Sequence, residues 1–264
     1  MAMQFATFRR GRLDTPVVAT AVHNGHELRP EVARSMRLGS EIRLREEDPH
    51  TDFFAAAFDT SVVVHRSRFE VDLNRPRTTA IYLEPADAWG LELFKEPISV
   101  EVQQETLSLY DRFYADLSVL LDDVVEAKGG FVLYDIHSYN HRRSGSQAPP
   151  EPAADNPVVN LGTGSLPDRW RNVAAAFIES MRGQRMGIDF LDVRENVKFR
   201  GRQVAAWVHE NYGEVGCALA IEMKKVWMDE WSGTVAADLQ RDLREALLTS
   251  VEPVAAAWSA SAAH

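Results

Sequence analysis

Short apolar runs and helix-period stretches alternate along most of the chain. Residues 16 to 22, PVVATAV, form an apolar run of strand length that ends on His23, and Ser61 to Val64 form a second that ends on His65. Thr79 to Leu83 predicts a third strand. Leu107, Tyr110, Tyr114, Leu117, Leu121 and Val124 then recur at steps of three and four, the period of an amphipathic helix, which the Gly129-Gly130 pair closes. A strand over 131 to 136 follows at once, so the helix reads as a crossover between parallel strands. Beyond it the pattern predicts a helix from about 169 to 182, a short strand near 188 to 192 and a helix from about 202 to 212. A strand over 216 to 222 and a terminal helix from about 234 to 258 complete the series. This alternation predicts an α/β fold, a mostly parallel mixed sheet with helices on both faces, formed by residues 1–264 as a single domain.

One segment breaks the alternation. Residues 141 to 168, HRRSGSQAPPEPAADNPVVNLGTGSLPD, are rich in Pro, Gly, Ser and Ala and hold at most one short strand, around Val158. A long irregular segment in a compact domain is disordered or functional, and this one starts directly after YDIHSYN, so it reads as a substrate-covering loop. The Ala-rich end, VAAAWSASAAH, reads as a fraying helix.

Composition narrows the function classes. The formal charge is -10, with 39 acidic against 29 basic side chains, so the chain lacks the basic footprint that nucleic acid or an anionic membrane requires. No apolar run approaches the roughly 20 residues of a membrane span, and the start MAMQFATFRRGR lacks the pattern of a signal peptide. The expectation is a cytoplasmic protein acting on a small molecule or peptide. Cys217 is the only cysteine, so a metal would have to be held by histidine and carboxylate.

Polar residues punctuate the ends of the predicted strands: His23 in AVHNGHE, the cluster RFEVDLNRPR, His137 in YDIHSYN, and Glu222 in ALAIEMKK. Two imidazoles and a carboxylate brought to one sheet edge match a hydrolytic zinc site, which takes three protein ligands and leaves a position for water. Glu27, four residues after His23, could supply the carboxylate; Asp52, in EEDPHTDFF, is the other candidate. Glu222 ends a run that is apolar on both faces, so desolvation should raise its pKa and suit it to general-base work, unless Lys224, Lys225 or an arginine pairs with it. Arg68, Asn74 and Arg75 lie within eight residues and can grip a carboxylate, or else pair internally with Glu70 or Asp72.

These residues resemble a known family. AVHNGHELRP, EEDPHTDFF, VVHRSRFEVDLNRPR, YDIHSYN, VVNLGTG, ENVKFRGR and LAIEMKKVWMDEW fall in the order and approximate spacing of the N-formylglutamate amidohydrolases, from about residue 16 to 232. DIHSYN and the Arg-Asn-Arg set are also similar to the wider zinc carboxypeptidase and aspartoacylase group. The resemblance implies a three-layer α/β/α sandwich of zinc-carboxypeptidase type. It implies one divalent metal ion, zinc, held by His23, His137 and Asp52, with Arg68 polarising the scissile carbonyl. Asn74 and Arg75 would bind the substrate's α-carboxylate, and Glu222 would act as general base. The implied reaction is hydrolysis of N-formyl-L-glutamate or a related N-acyl acidic amino acid. A carboxypeptidase-like peptide hydrolase uses the same chemistry with a longer groove, and a metal-free carboxylate-binding protein on the same fold is the reading from another class. Two motifs depart from the family's usual pattern. Asn24 stands where a small residue is usual, and HSYNHRR adds bulk and charge beside the second histidine.

Overall fold

The apolar runs become the inner strands of one sheet. The computed structural model describes residues 4–263. In chain order the elements are β1 (Ala6–Arg9), β2 (Val17–Ala21), α1 (Pro30–Ser35), α2 (Ser40–Glu46), α3 (Thr51–Ala55), β3 (Thr60–Val64), α4 (Val100–Lys128), β4 (Phe131–Tyr139) and β5 (Val159–Gly162). They continue with α5 (Arg171–Arg182), β6 (Arg185–Met186), β7 (Asp189–Phe190), β8 (Val193–Glu195), α6 (Gln203–Tyr212), β9 (Gly216–Lys224), α7 (Ala237–Thr249) and α8 (Val251–Ala262). Seven strands pair in the order β1-β3-β2-β4-β9-β5-β8, and β6 with β7 forms a separate small hairpin. The central strands β3, β2, β4 and β9 are mutually parallel. β1 joins β3 antiparallel at one edge; β5 joins β9 antiparallel and carries β8 parallel to itself.

Alternation along each strand divides the core into two layers. Val17, Ala19, Val132, Tyr134, Leu219 and Ile221 face α3, α5, α7 and α8. Val18, Val62, Leu133, Ala218 and Ala220 face α4 and α6. The result is the expected three-layer α/β/α sandwich. α4 covers its face with Tyr110, Phe113, Tyr114, Leu117, Leu121 and Val124, starts on a Ser99 side chain that accepts the Val102 N–H, and ends at Gly129. Gly129 has φ +82°, the left-handed conformation that stops a helix at lowest cost. No helix among the described residues is long and apolar enough to cross a membrane.

Two expectations change. Thr79 to Leu83 is not a strand: a short 3₁₀ turn at Arg77–Thr79 leads into a buried irregular segment, and Tyr82 spends its hydroxyl on Asp72. The terminal helix is two helices. Pro253 falls in the first turn of α8, where it has no N–H to return to the preceding turn, and Ser250 at the junction is held by Leu247 O and the Tyr134 hydroxyl. As expected, the segment 141 to 168 holds one short strand, β5, and the irregular stretch before it is tied to its neighbours at Glu151 and Asn156. Glu151 and the Asn156 side chain bind Lys198, and Lys224 donates to the Asn156 carbonyl.

Candidate active site

Register assembles the site. His137 on β4 and Glu222 on β9 are direct partners across a parallel pair, and Asn160 on β5 faces Glu222 from the other side. Partners on adjacent strands share a face, so the three side chains form one row on the α4/α6 side of the sheet, near the carboxyl ends of the central strands. Asp135, two residues before His137, points the same way and accepts a hydrogen bond from Thr20 of β2.

His23 lies two residues beyond β2. Its carbonyl accepts the Asp48 N–H at 3.0 Å, which ties the turn before α3 to the end of β2. Lys225 fixes the same turn, its buried ammonium donating to the carbonyls of Arg45 and Glu47 at 2.7 and 2.8 Å. Burial pulls the Lys225 pKa down to about 8, with Asp48 and Glu46 pulling the other way. Asp48 is thereby held against both imidazoles, its Oδ2 lying 3.5 Å from His23 Nδ1 and 3.2 Å from His137 Nδ1.

The opposite ring nitrogens also meet carboxylates. His23 Nε2 is 2.7 Å from Asp72 Oδ1, and His137 Nε2 is 2.9 Å from Asp135 Oδ2. With its proton on Nε2, toward these carboxylates, each imidazole presents a lone pair at Nδ1. Two such lone pairs and a carboxylate oxygen then converge, an arrangement that repels itself unless a proton or a cation sits among them. The three residues offer ligand atoms within 4.8 Å of one another and all are buried. Tetrahedral zinc with bonds of about 2.0 Å sets its ligand atoms about 3.3 Å apart, close to the 3.2 and 3.5 Å that separate Asp48 from the two imidazoles. The donor set, the spacing and the outer carboxylates therefore fit a divalent cation.

The same charges set the protonation tendencies. Burial opposes a charge on His137, but Asp135 and Asp48 outweigh it and hold the imidazole well above its usual range. Burial would raise Asp48, but His137 and His23 hold it well below the ordinary carboxylate range. Glu222 is different. Among the described residues it makes no ion pair, since Lys224 and Lys225 both donate to backbone carbonyls. Burial pushes it up to about 7, and His137 only partly offsets the effect.

His23, Asp48, His137 and Glu222 line one cavity, together with Arg68, Asn74, Trp89, Arg143, Phe199 and Arg202. Arg68 is anchored to Asp72 at 2.8 Å and to the Tyr82 hydroxyl, and lies 5.1 Å from the Trp89 ring centre. Trp89, in the left-handed conformation at φ +54° and half exposed, stands at the rim.

The structure brings His23, His137, Glu222, Arg68 and Asn74 together, and it separates the other two predicted site residues from them. Asp52 is exposed in the first turn of α3, with its backbone N–H capped by Asn24, while Asp48, four residues earlier, occupies the place beside the histidines. Glu27 is no nearer: it is half-buried and pairs through its backbone with His65 and Ser67. Arg75 does not line the cavity. Its guanidinium lies over the Tyr82 ring at 4.3 Å, donates to Asp87 O at 2.5 Å and sits 3.7 Å from Asp72. Asn74 reaches the cavity wall but is committed, its Oδ1 accepting the Val204 N–H at the start of α6 and its Nδ2 lying 3.2 Å from His137 Nε2. Asp48, Asp72, Asp135 and Asn160 were missed as site residues. A signal existed for Asp135 and Asp72, which sit two residues from His137 and Asn74 inside the quoted motifs.

A mixed α/β sandwich with a His/Asp/His cluster and a desolvated glutamate at the carboxyl ends of its parallel strands has the layout of a hydrolase. The N-formylglutamate amidohydrolase profile matches residues 15–228, and the chain belongs to that family. Among solved structures, an N-formylglutamate amidohydrolase from Ralstonia eutropha JMP134 superposes with a TM-score of 0.75 at 18% identity, covering 96% of this chain and 97% of that one. A gene product of Agrobacterium tumefaciens superposes with a TM-score of 0.64 at 15% identity, covering 96% of each chain. No curated protein sequence matches.

Proposed function

We propose that the protein is a zinc-dependent amidohydrolase that cleaves N-formyl-L-glutamate, or a closely related N-acyl acidic amino acid, into a carboxylate and a free amine. The observation that carries this reading is the side-by-side placement of His137 and Glu222 on β4 and β9, beside His23 and Asp48, in a chain of this family. His23, Asp48 and His137 would hold the ion, which when bound supplies Lewis acidity and lowers the pKa of water. Glu222 then takes a proton from the attacking water onto its carboxylate and returns it to the amide nitrogen as the C–N bond breaks. A carboxylate that is not held in an ion pair is free to do both. Arg68, held by Asp72 and Tyr82, donates to the carbonyl oxygen as negative charge develops on it.

A cytoplasmic setting accords with a single cysteine buried in β9. Elemental analysis of the purified protein, paired with amine release from N-formyl, N-acetyl and N-succinyl amino acids before and after chelation, tests the proposal. The expected result is about one zinc per chain and chelator-sensitive release from an acidic N-acyl amino acid. Absence of release from every substrate after zinc is restored would overturn it.

A further inference from the structure

Arg202 is the one arginine of the cavity wall without a partner among the described residues. Arg68 is bound to Asp72 and Arg143 to Glu46 at 3.1 Å, whereas the exposed Arg202 side chain makes neither an ion pair nor a hydrogen bond. An unpaired guanidinium facing a small polar cavity is a ready carboxylate receptor.

Its position is built rather than incidental. Asn160, fully buried in register with Glu222, accepts the Lys198 N–H at 2.8 Å and donates to the Phe199 carbonyl at 2.8 Å. The loop that follows runs so close to β5 that a Cβ on Gly162 would stand 2.3 Å from the Gly201 nitrogen. Gly201 itself has φ +87°, and a Cβ there would touch Ala220 at 3.3 Å. Ala220 and Glu222 are on the same face of β9, so Gly201 is seated one step along the strand from the glutamate. Arg202 comes next, as the residue that opens α6, and the Asn74 side chain caps that helix through Val204 N. VVNLGTG and FRGR are thus two halves of one device, a loop held to β5 and β9 that brings an arginine to the cavity beside Glu222.

We propose that Arg202, rather than Arg75, is the residue that binds the substrate's free carboxylate and so selects acidic or C-terminal N-acyl compounds. The inference rests on the hydrolase reading above for the word substrate, but the recognition it describes is measurable by binding alone.

The test uses the full chain as wild type, Arg202→Gln, Arg202→Lys and Arg75→Gln. Calorimetry measures binding of glutarate, which is not hydrolysed, against its uncharged counterpart glutaramide, and KM and kcat are measured on N-formyl-L-glutamate. Losing a charge-assisted hydrogen-bonded pair corresponds to a weakening of about tenfold or more. The expected result is that wild type prefers glutarate, and that Arg202→Gln loses the preference and raises KM about tenfold with little change in kcat. Arg202→Lys should restore part of the preference, and Arg75→Gln should bind glutarate like wild type. Undiminished glutarate binding in Arg202→Gln, a loss confined to Arg75→Gln, or no glutarate binding by wild type would each overturn the assignment. Absence of turnover alongside Arg202-dependent glutarate binding would instead count against the hydrolase reading and leave the assignment standing.

Discussion

The choice between Asp48 and Asp52 as the third metal ligand can be decided by thermal unfolding. Asp48 Oδ2 stands 3.2 and 3.5 Å from the two Nδ1 atoms, whereas the Asp52 side chain is exposed on α3. If zinc binds only the folded chain, at 100 times its Kd it adds about 2.7 kcal/mol of stability. A chain of this size gains roughly 2–4 °C per kcal/mol, so adding zinc to chelator-treated wild type should raise Tm by about 5–10 °C. Asp48→Asn replaces the anionic ligand with a weak neutral one. If that raises Kd about 100-fold, the same zinc concentration contributes only RT ln 2, about 0.4 kcal/mol, and a Tm rise of about 1 °C. Asp52→Asn should retain the full rise. Because each apo variant has its own Tm, the quantity compared is the zinc-induced change within each protein, read by scanning calorimetry. A full rise in Asp48→Asn together with a lost rise in Asp52→Asn would refute the ligand set proposed here.

Glu222→Gln should retain the zinc-induced Tm rise and lower kcat by about 10²–10⁴, since the amide keeps the shape of the side chain and cannot accept the proton; normal turnover would remove Glu222 from the chemistry. His209 predicts an acid-dependent loss of stability away from the site. Burial pulls its pKa down to about 4, and its Nε2 lies 2.9 Å from the Ala218 N–H of β9, which only an unprotonated nitrogen can accept. A folded-state pKa below the unfolded value means that the unfolded chain binds the extra proton. The stabilisation is therefore complete above about pH 6.5 and lost as pH falls toward about 4, by roughly 2–3 kcal/mol after allowance for partial exposure. Urea unfolding of wild type and His209→Gln across that window should show a steeper fall for wild type, and parallel profiles would contradict the account. Gly201→Ala forces a side chain into φ +87° at a crowded position and should reduce glutarate binding through displacement of Arg202; unchanged binding would show that the loop position does not matter.

The legible parts of the molecule were those whose signal is local. β2, β3, α4, β4, α6 and β9 each carry a hydrophobic period within one short window, and His23, His137 and Glu222 stand at the ends of such runs, where the chain turns polar. Asp48 and Asp52 share one motif four residues apart, and what separates them is tertiary: the Asp48 N–H reaches the His23 carbonyl, and Lys225, just past the end of β9, holds the Arg45 and Glu47 carbonyls. Arg75 invited a functional role because it adjoins Asn74, but Asp72, Asp87 and Tyr82 draw it aside. Arg202 lies far from Asn74 in sequence, and only the closeness of Gly162 to Gly201 shows where it goes. β1 and the short helices α1 to α3 gave too brief a pattern to register.

Two residues bind these parts into one frame. Asp72 uses Oδ1 to receive His23 Nε2 and the Asn74 N–H, and Oδ2 to receive Arg68 and the Tyr82 hydroxyl. The imidazole that faces Asp48 and the guanidinium that faces the cavity therefore hang from one buried carboxylate, which Arg68, His23 and the Tyr82 hydroxyl keep ionised against its desolvation. Asn74 extends the frame in the other direction, touching His137 with its amide and capping α6 directly after Arg202. These shared partners tie the two histidines to Arg68 on one side of the cavity and to the start of α6, next to Arg202, on the other, so the groups proposed to activate water, stabilise the oxyanion and hold the carboxylate are braced against one another. Such pre-organisation is what turns a set of individually ordinary polar residues into a site that can favour a transition state over its ground state.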